Sequence, residues 1–150
     1  MTRCVVTLLA VGVLLAADAP KDDAKKDQQA LQGTWTLVSA EQGGKDQTEE
    51  AKEHTLTFEG DTFSVKKGDE VKVKGTFKVD PSKKPRAIDM KITEAKKEQD
   101  NGKELHGIYE LTKDGLKWCT DEPGGEDRPT EFAAKEGTKH MLVTFKKDKP

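Results

Sequence analysis

The chain has 150 residues, 36% of them charged and 33% hydrophobic, with a formal net charge of -2. That length fits one domain. Both signs of charge are interspersed, which argues for a well-solvated surface and against the basic patch that a nucleic-acid partner needs.

Residues 1–19 have the layout of a secretory signal peptide. Arg3 supplies a positive start, residues 4–17 are almost wholly apolar, and Ala17-Asp18-Ala19 is a small-x-small cleavage site. Pro20 hinders cleavage after Ala19, so Ala17 is an alternative site. The apolar run is shorter than the ~20 residues that span a bilayer, so no stable membrane span is expected after cleavage. The expected location is therefore secreted or periplasmic. Cys4 leaves with this segment, and Cys119 becomes the single cysteine of the exported chain. No disulfide within the chain can then support the fold. Cys119 has two open fates, packing as a small hydrophobe or pairing between molecules.

Residues 20–29 contain no apolar residue except Ala24 and read as a flexible tether, the last part of which is able to form one helical turn. From Gly33 onward the hydrophobic period is two, not about 3.6. The first strand, about 34–41, places Trp35 and Leu37 on one face. Asp46, with Glu49 three residues on, is set to cap a short helical turn. A strand over 54–59 aligns Leu56 and Phe58. After the turn at Gly60-Asp61 comes a strand with Phe63 and Val65 in phase. The clearest strand follows Gly68-Asp69: Val71, Val73, Gly75, Phe77 and Val79 face one way and Lys72, Lys74, Thr76 and Lys78 the other. The lysine face must be wet, so the other face is core. Further strands carry Ile88, Met90 and Ile92; Leu105, Gly107, Tyr109 and Leu111; Leu116 and Trp118; and Met141, Val143 and Phe145. Between the last two lie an acidic, glycine-rich loop over 122–127 and a short extended piece over 130–132. About eight short, one-sided strands with tight turns predict an all-β fold, an antiparallel up-and-down barrel formed by residues 30–150.

Four stretches, LQGTWTLVSAEQGG (31–44), KGTFKVDPSKKPRAIDM (74–90), GIYELTKDGLKWC (107–119) and PGGEDRPTEF (123–132), together resemble a family of exported bacterial proteins of unknown function described as lipocalin-like. The resemblance implies a lipocalin-like barrel and no reaction. The chain departs from the family at its end. Many relatives close the last strand with Lys-Arg, whereas this chain reads Phe145-Lys146-Lys147. In lipocalins a late arginine stacks over the indole of the Gly-x-Trp motif, here Trp35, and lysine stacks less well.

Four residues are candidates for ligand contact, each with a structural alternative. Trp35 either lines a site or plugs one barrel end as core. Tyr109 and Trp118, on neighbouring strands, form either an aromatic wall for a ligand or a cross-strand core pair. Arg128 either clamps an anionic group at the barrel mouth or pairs with Glu131 and the acidic loop beside it. Asp121, Glu122, Glu126 and Asp127 crowd one loop without a calcium-loop motif, so no metal is expected. His54, His106 and His140 lack metal-ligand spacing, and no nucleophile motif or phosphate-cradling loop is present. No cofactor is expected. The leading expectation is a non-catalytic protein that desolvates a small, mainly apolar ligand inside the barrel, with Arg128 orienting its polar end. The alternative is a structural or protein-interaction module of the cell envelope with a filled barrel.

Overall fold

The computed structural model describes residues 19–149. The expected signal peptide and Cys4 fall on residues 1–18, outside the described residues. The elements are α1 (Ala19–Leu31), β1 (Gly33–Gln42), β2 (Lys45–Asp46), α2 (Thr48–Ala51), β3 (His54–Glu59), β4 (Thr62–Lys67), β5 (Glu70–Asp80), β6 (Ala87–Ala95), a 3-10 turn over Glu98–Asp100, β7 (Glu104–Leu111), β8 (Gly115–Thr120) and β9 (Met141–Lys147).

Strands β1 and β3 to β9 form a closed antiparallel up-and-down barrel with a lipocalin-like fold. Strand β2 adds only a two-residue hairpin to β1. The first strand makes the closure. Its residues 33–36 pair with β3, and the same strand pairs with β9 from Trp35↔Lys147 to Gln42↔Met141. Closure leaves no long unpaired edge, which suits a chain of one-sided strands. The alternating apolar positions point inward and merge into one buried cluster that includes Trp35, Phe58, Phe77, Met90, Tyr109, Trp118 and Phe145. Phe58 and Phe77 meet edge to face at 4.7 Å between ring centroids, a favoured aromatic geometry.

The period of two breaks where the ladder does. In β1 the register slips between Leu37 and Ser39. Val38 points outward, 53% exposed, and the slip after it returns Ala40 to the core. In β5 a slip against β6 falls between Lys74 and Gly75. A Cβ at Gly75 would lie 1.9 Å from the Lys91 carbonyl oxygen and 2.7 Å from the Phe63 ring. Only glycine lets the two strands and the ring pack this closely.

Residues 20–29 are not a tether. They lie within the 13-residue helix α1. Ala, Lys and Gln favour helix, and the helix is fixed by polar anchors instead of an apolar stripe. Its last four carbonyls all find donors, which helices otherwise leave unmet. Gln28 O accepts from Gln32 Nε2, Gln29 O from Gln32 N, Ala30 O from Lys147 Nζ and Leu31 O from Trp35 Nε1. Gly33 follows at φ +108, where L side chains are strained. The Gly-x-Trp motif thus ends the helix, reverses the chain and aims the indole back at the helix terminus.

The segment 121–140, between β8 and β9, folds as a strap across the outside of the barrel. Ala87, Ile108 and Cys119 stand in one row across β6, β7 and β8 on the outer phase, yet all three are buried. Pro129 and Ala134 of the strap are buried too. The piece over 130–132, expected as extended, is part of this strap and forms no strand.

Candidate functional site

The barrel end at which β1 starts carries α1 as its floor. Trp35 is 1% exposed there. Its Nε1 donates to the Leu31 carbonyl at 2.8 Å, and Lys147 Nζ sits 5.3 Å from its ring centroid. Lys147 thus lies over the indole and also caps α1 through Ala30 O at 3.0 Å. Both faces of this role are structural, so Trp35 is committed to closing the barrel floor.

Tyr109 and Trp118 are direct cross-strand partners on β7 and β8. Tyr109 is also committed. Its hydroxyl donates to Asp27 Oδ2 of α1 at 2.5 Å, and Arg86 NH1 reaches the same carboxylate at 2.9 and 3.2 Å. Burial, reinforced by the Asp27 carboxylate that accepts its proton, pushes the Tyr109 phenol well above its ordinary range. Trp118 stacks obliquely on Phe145, with ring centroids 5.8 Å apart. Its Nε1 is buried without a hydrogen-bond partner, and so is Thr120 Oγ1 two residues on. Both lie on the inward phase of β8.

Arg128 is not at a barrel mouth and is not near the aromatic pair's interior face. It lies on the outer wall, where its NH1 donates to Gly107 O at 2.7 Å and Ile88 O at 3.3 Å, and its NH2 to Asp89 Oδ1 at 2.5 Å. Asp89 also holds His106 Nδ1 at 2.8 Å. Burial raises the Asp89 carboxyl, but the hydrogen bonds from His106 and Arg128 outweigh it and hold the group below its usual range. The guanidinium pins the strap to β6 and β7, and neither expected partner, Glu131 nor the acidic loop, is its main contact. The four predicted contact residues therefore do not converge on one pocket.

The acidic loop organises itself. Asp121, 5% exposed, accepts from Glu122 N at 2.9 Å and Asp127 N at 3.0 Å. Among the described residues no group of three or more His, Cys, Asp or Glu side chains is placed to hold a metal ion. Cys119 is buried, and its thiol lies 3.6 Å from Ala133 O of the strap. Burial raises its pKa, away from the reactive thiolate.

Five concavities of 300–380 Å³ open on the described surface. Neither Trp35 nor Trp118 lines any of them. One is a depression walled by Pro81, Lys83, Lys84, Arg86, Leu111 and Phe132, among others. Sequence reading did not single out this place. The signal was present: Ile108 and Cys119 are apolar on the outer phase of their strands, which only a covered wall explains.

The fold defines the class, a closed lipocalin-like β-barrel whose floor is a helix and whose outer wall carries a strap. No family model, curated protein or solved structure matches this chain. Among the described residues no helix is long and apolar enough to cross a membrane.

Proposed function

We propose that this chain is an exported, non-catalytic module of the cell envelope, with a filled barrel that serves as a rigid scaffold for contacts made on its outer wall. The observation that carries this reading is the interior itself. Seventeen buried hydrophobic residues form one continuous cluster, while the concavities described above open to the surface. A ligand held inside the barrel would need about 300 Å³ of enclosed space. The signal-peptide layout supports export.

One observation favours the second reading, a small, mainly apolar ligand inside the barrel. Trp118 Nε1 and Thr120 Oγ1 are buried without partners, and a buried unsatisfied group costs about 1–3 kcal/mol. A ligand with a hydrogen-bond acceptor would relieve that cost.

Native mass spectrometry of the protein purified from its own host separates the two. The filled-barrel reading expects the mass of the bare mature chain. A co-purifying small molecule that persists in Lys83→Gln/Lys84→Gln but is lost in Thr120→Val would overturn it in favour of an internal ligand.

A further inference from the structure

Three stretches far apart in sequence meet at the rim of the barrel beside the floor helix. Residues 81–86 form a loop between β5 and β6, Tyr109 to Leu111 end β7, and Phe132 comes from the strap. Together they line an open depression of about 380 Å³. Its walls divide by chemistry. Pro81, Pro85, Leu111 and Phe132 give an apolar side, and each is partly, not fully, buried. Lys83, Lys84 and Arg86 give a cationic side; Glu110 is an acid of the lining, and Asp80 beside it feels the charge of Lys83.

The cations are not equivalent. Arg86 is engaged by Asp27 of α1. Lys83 and Lys84 are exposed, and neither has a carboxylate within salt-bridge distance among the described residues. The apolar wall is held in place from behind. Arg128, four residues before Phe132, is locked to Ile88 O, Gly107 O and Asp89, and Cys119 packs against Ala133 just after it. Phe132 also carries Lys117 Nζ 5.9 Å from its ring centroid.

We propose that this depression is a binding site for a small amphipathic carboxylate, with its apolar body against Phe132, Leu111 and the two prolines and its charge toward Lys83 and Lys84. The volume is of the size that small-molecule sites occupy, and the combination of an apolar wall with a few placed charges is their usual composition. Two adjacent lysines act as point charges and tolerate several anion geometries. The site accounts for why a barrel with a filled interior would carry a rigid strap over one wall. It rests on the reading that the outer wall is the working surface.

The test is amide and indole NMR on the mature protein with 4-phenylbutyrate as probe and 4-phenylbutylamine as the charge-reversed control. Saturable shifts are expected at Lys83, Lys84, Leu111 and Phe132 with the carboxylate, and weaker ones with the amine. Lys83→Gln/Lys84→Gln should weaken binding by about tenfold, the scale of losing two half-solvated charge contacts. Phe132→Ala should weaken it as well, with the barrel signals unchanged. Equal binding of the amine, or no saturable shift at these residues, overturns this site and leaves the filled barrel untouched. Shifts centred on the Trp118 indole and Thr120 overturn both.

Discussion

The docking of α1 is the contact most open to a quantitative challenge, because a polar residue carries it. Replacing Asp27 with alanine removes the acceptor of the Tyr109 hydroxyl and the partner of Arg86. The first loss leaves a donor on a residue 1% exposed with nothing to bond, at a cost of about 1–3 kcal/mol. The second is smaller, since Arg86 is 49% exposed and such pairs contribute about 0–1 kcal/mol. The expected loss for Asp27→Ala is therefore about 2–3 kcal/mol in urea unfolding followed by circular dichroism. Tyr109→Phe removes only the donor and leaves the carboxylate to Arg86, so it should cost about 1 kcal/mol. The double variant has no orphaned hydroxyl. It should lose less than the two single losses together, with a coupling of about 1 kcal/mol. A loss below about 0.5 kcal/mol for Asp27→Ala, with an unchanged slope in urea, would show that the helix is not seated on the barrel floor.

Three further outcomes follow from named contacts. Tyr109 is the only tyrosine, and its phenol is raised in the folded state, so its stabilisation is complete below the unfolded value of about 10 and is lost as pH rises above it; phenolate absorbance should appear together with unfolding in an alkaline titration, and its appearance in the still-folded protein near pH ~10 would refute the burial of that hydroxyl. Gly75→Ala places a Cβ 1.9 Å from Lys91 O and should destabilise by about 2 kcal/mol or more through overpacking and a broken β5–β6 ladder; a melting temperature equal to the parent's would refute the close approach. Arg128→Ala should free the strap, so that Cys119, inert to a thiol reagent in the parent, becomes labelled in the mature chain without global unfolding; equal labelling rates would mean the guanidinium does not hold the strap down.

The strands were legible in the sequence because each carries its own burial code. Val71, Val73, Phe77 and Val79 alternate with lysine and threonine, and a period of two has one structural meaning when the polar face cannot be buried. Trp35 was legible as a plug for a similar reason, since a Gly-x-Trp at a first strand places a large side chain where the chain has just reversed. The helix α1 was not legible, because its docking face is Ala24, Asp27, Gln28 and Leu31, and only Leu31 is a large apolar residue. Hydrophobic periodicity cannot report a helix held by hydrogen bonds to Gly60, Tyr109, Arg86 and Lys147. Arg128 was misplaced for a related cause. Its neighbours in sequence, Asp127 and Glu131, offered charge partners, but its bonds go to two carbonyls and a carboxylate on β6 and β7, some 20 to 40 positions away. Local charge pattern predicts local pairs and is blind to a strap that crosses a wall. What the sequence does hold is the mark of that wall: three apolar residues, Ala87, Ile108 and Cys119, on outer-phase positions that would otherwise face water. In a one-sided sheet, an apolar residue out of phase means that something covers it, and here the covering segment also supplies Phe132, the aromatic wall of the outer depression. The same logic separates the two functional readings. Inward positions that are apolar explain a filled core and ask for nothing more, whereas the unpartnered Trp118 Nε1 and Thr120 Oγ1 are, among the described residues, the inward groups whose presence a filled core leaves without a physical account.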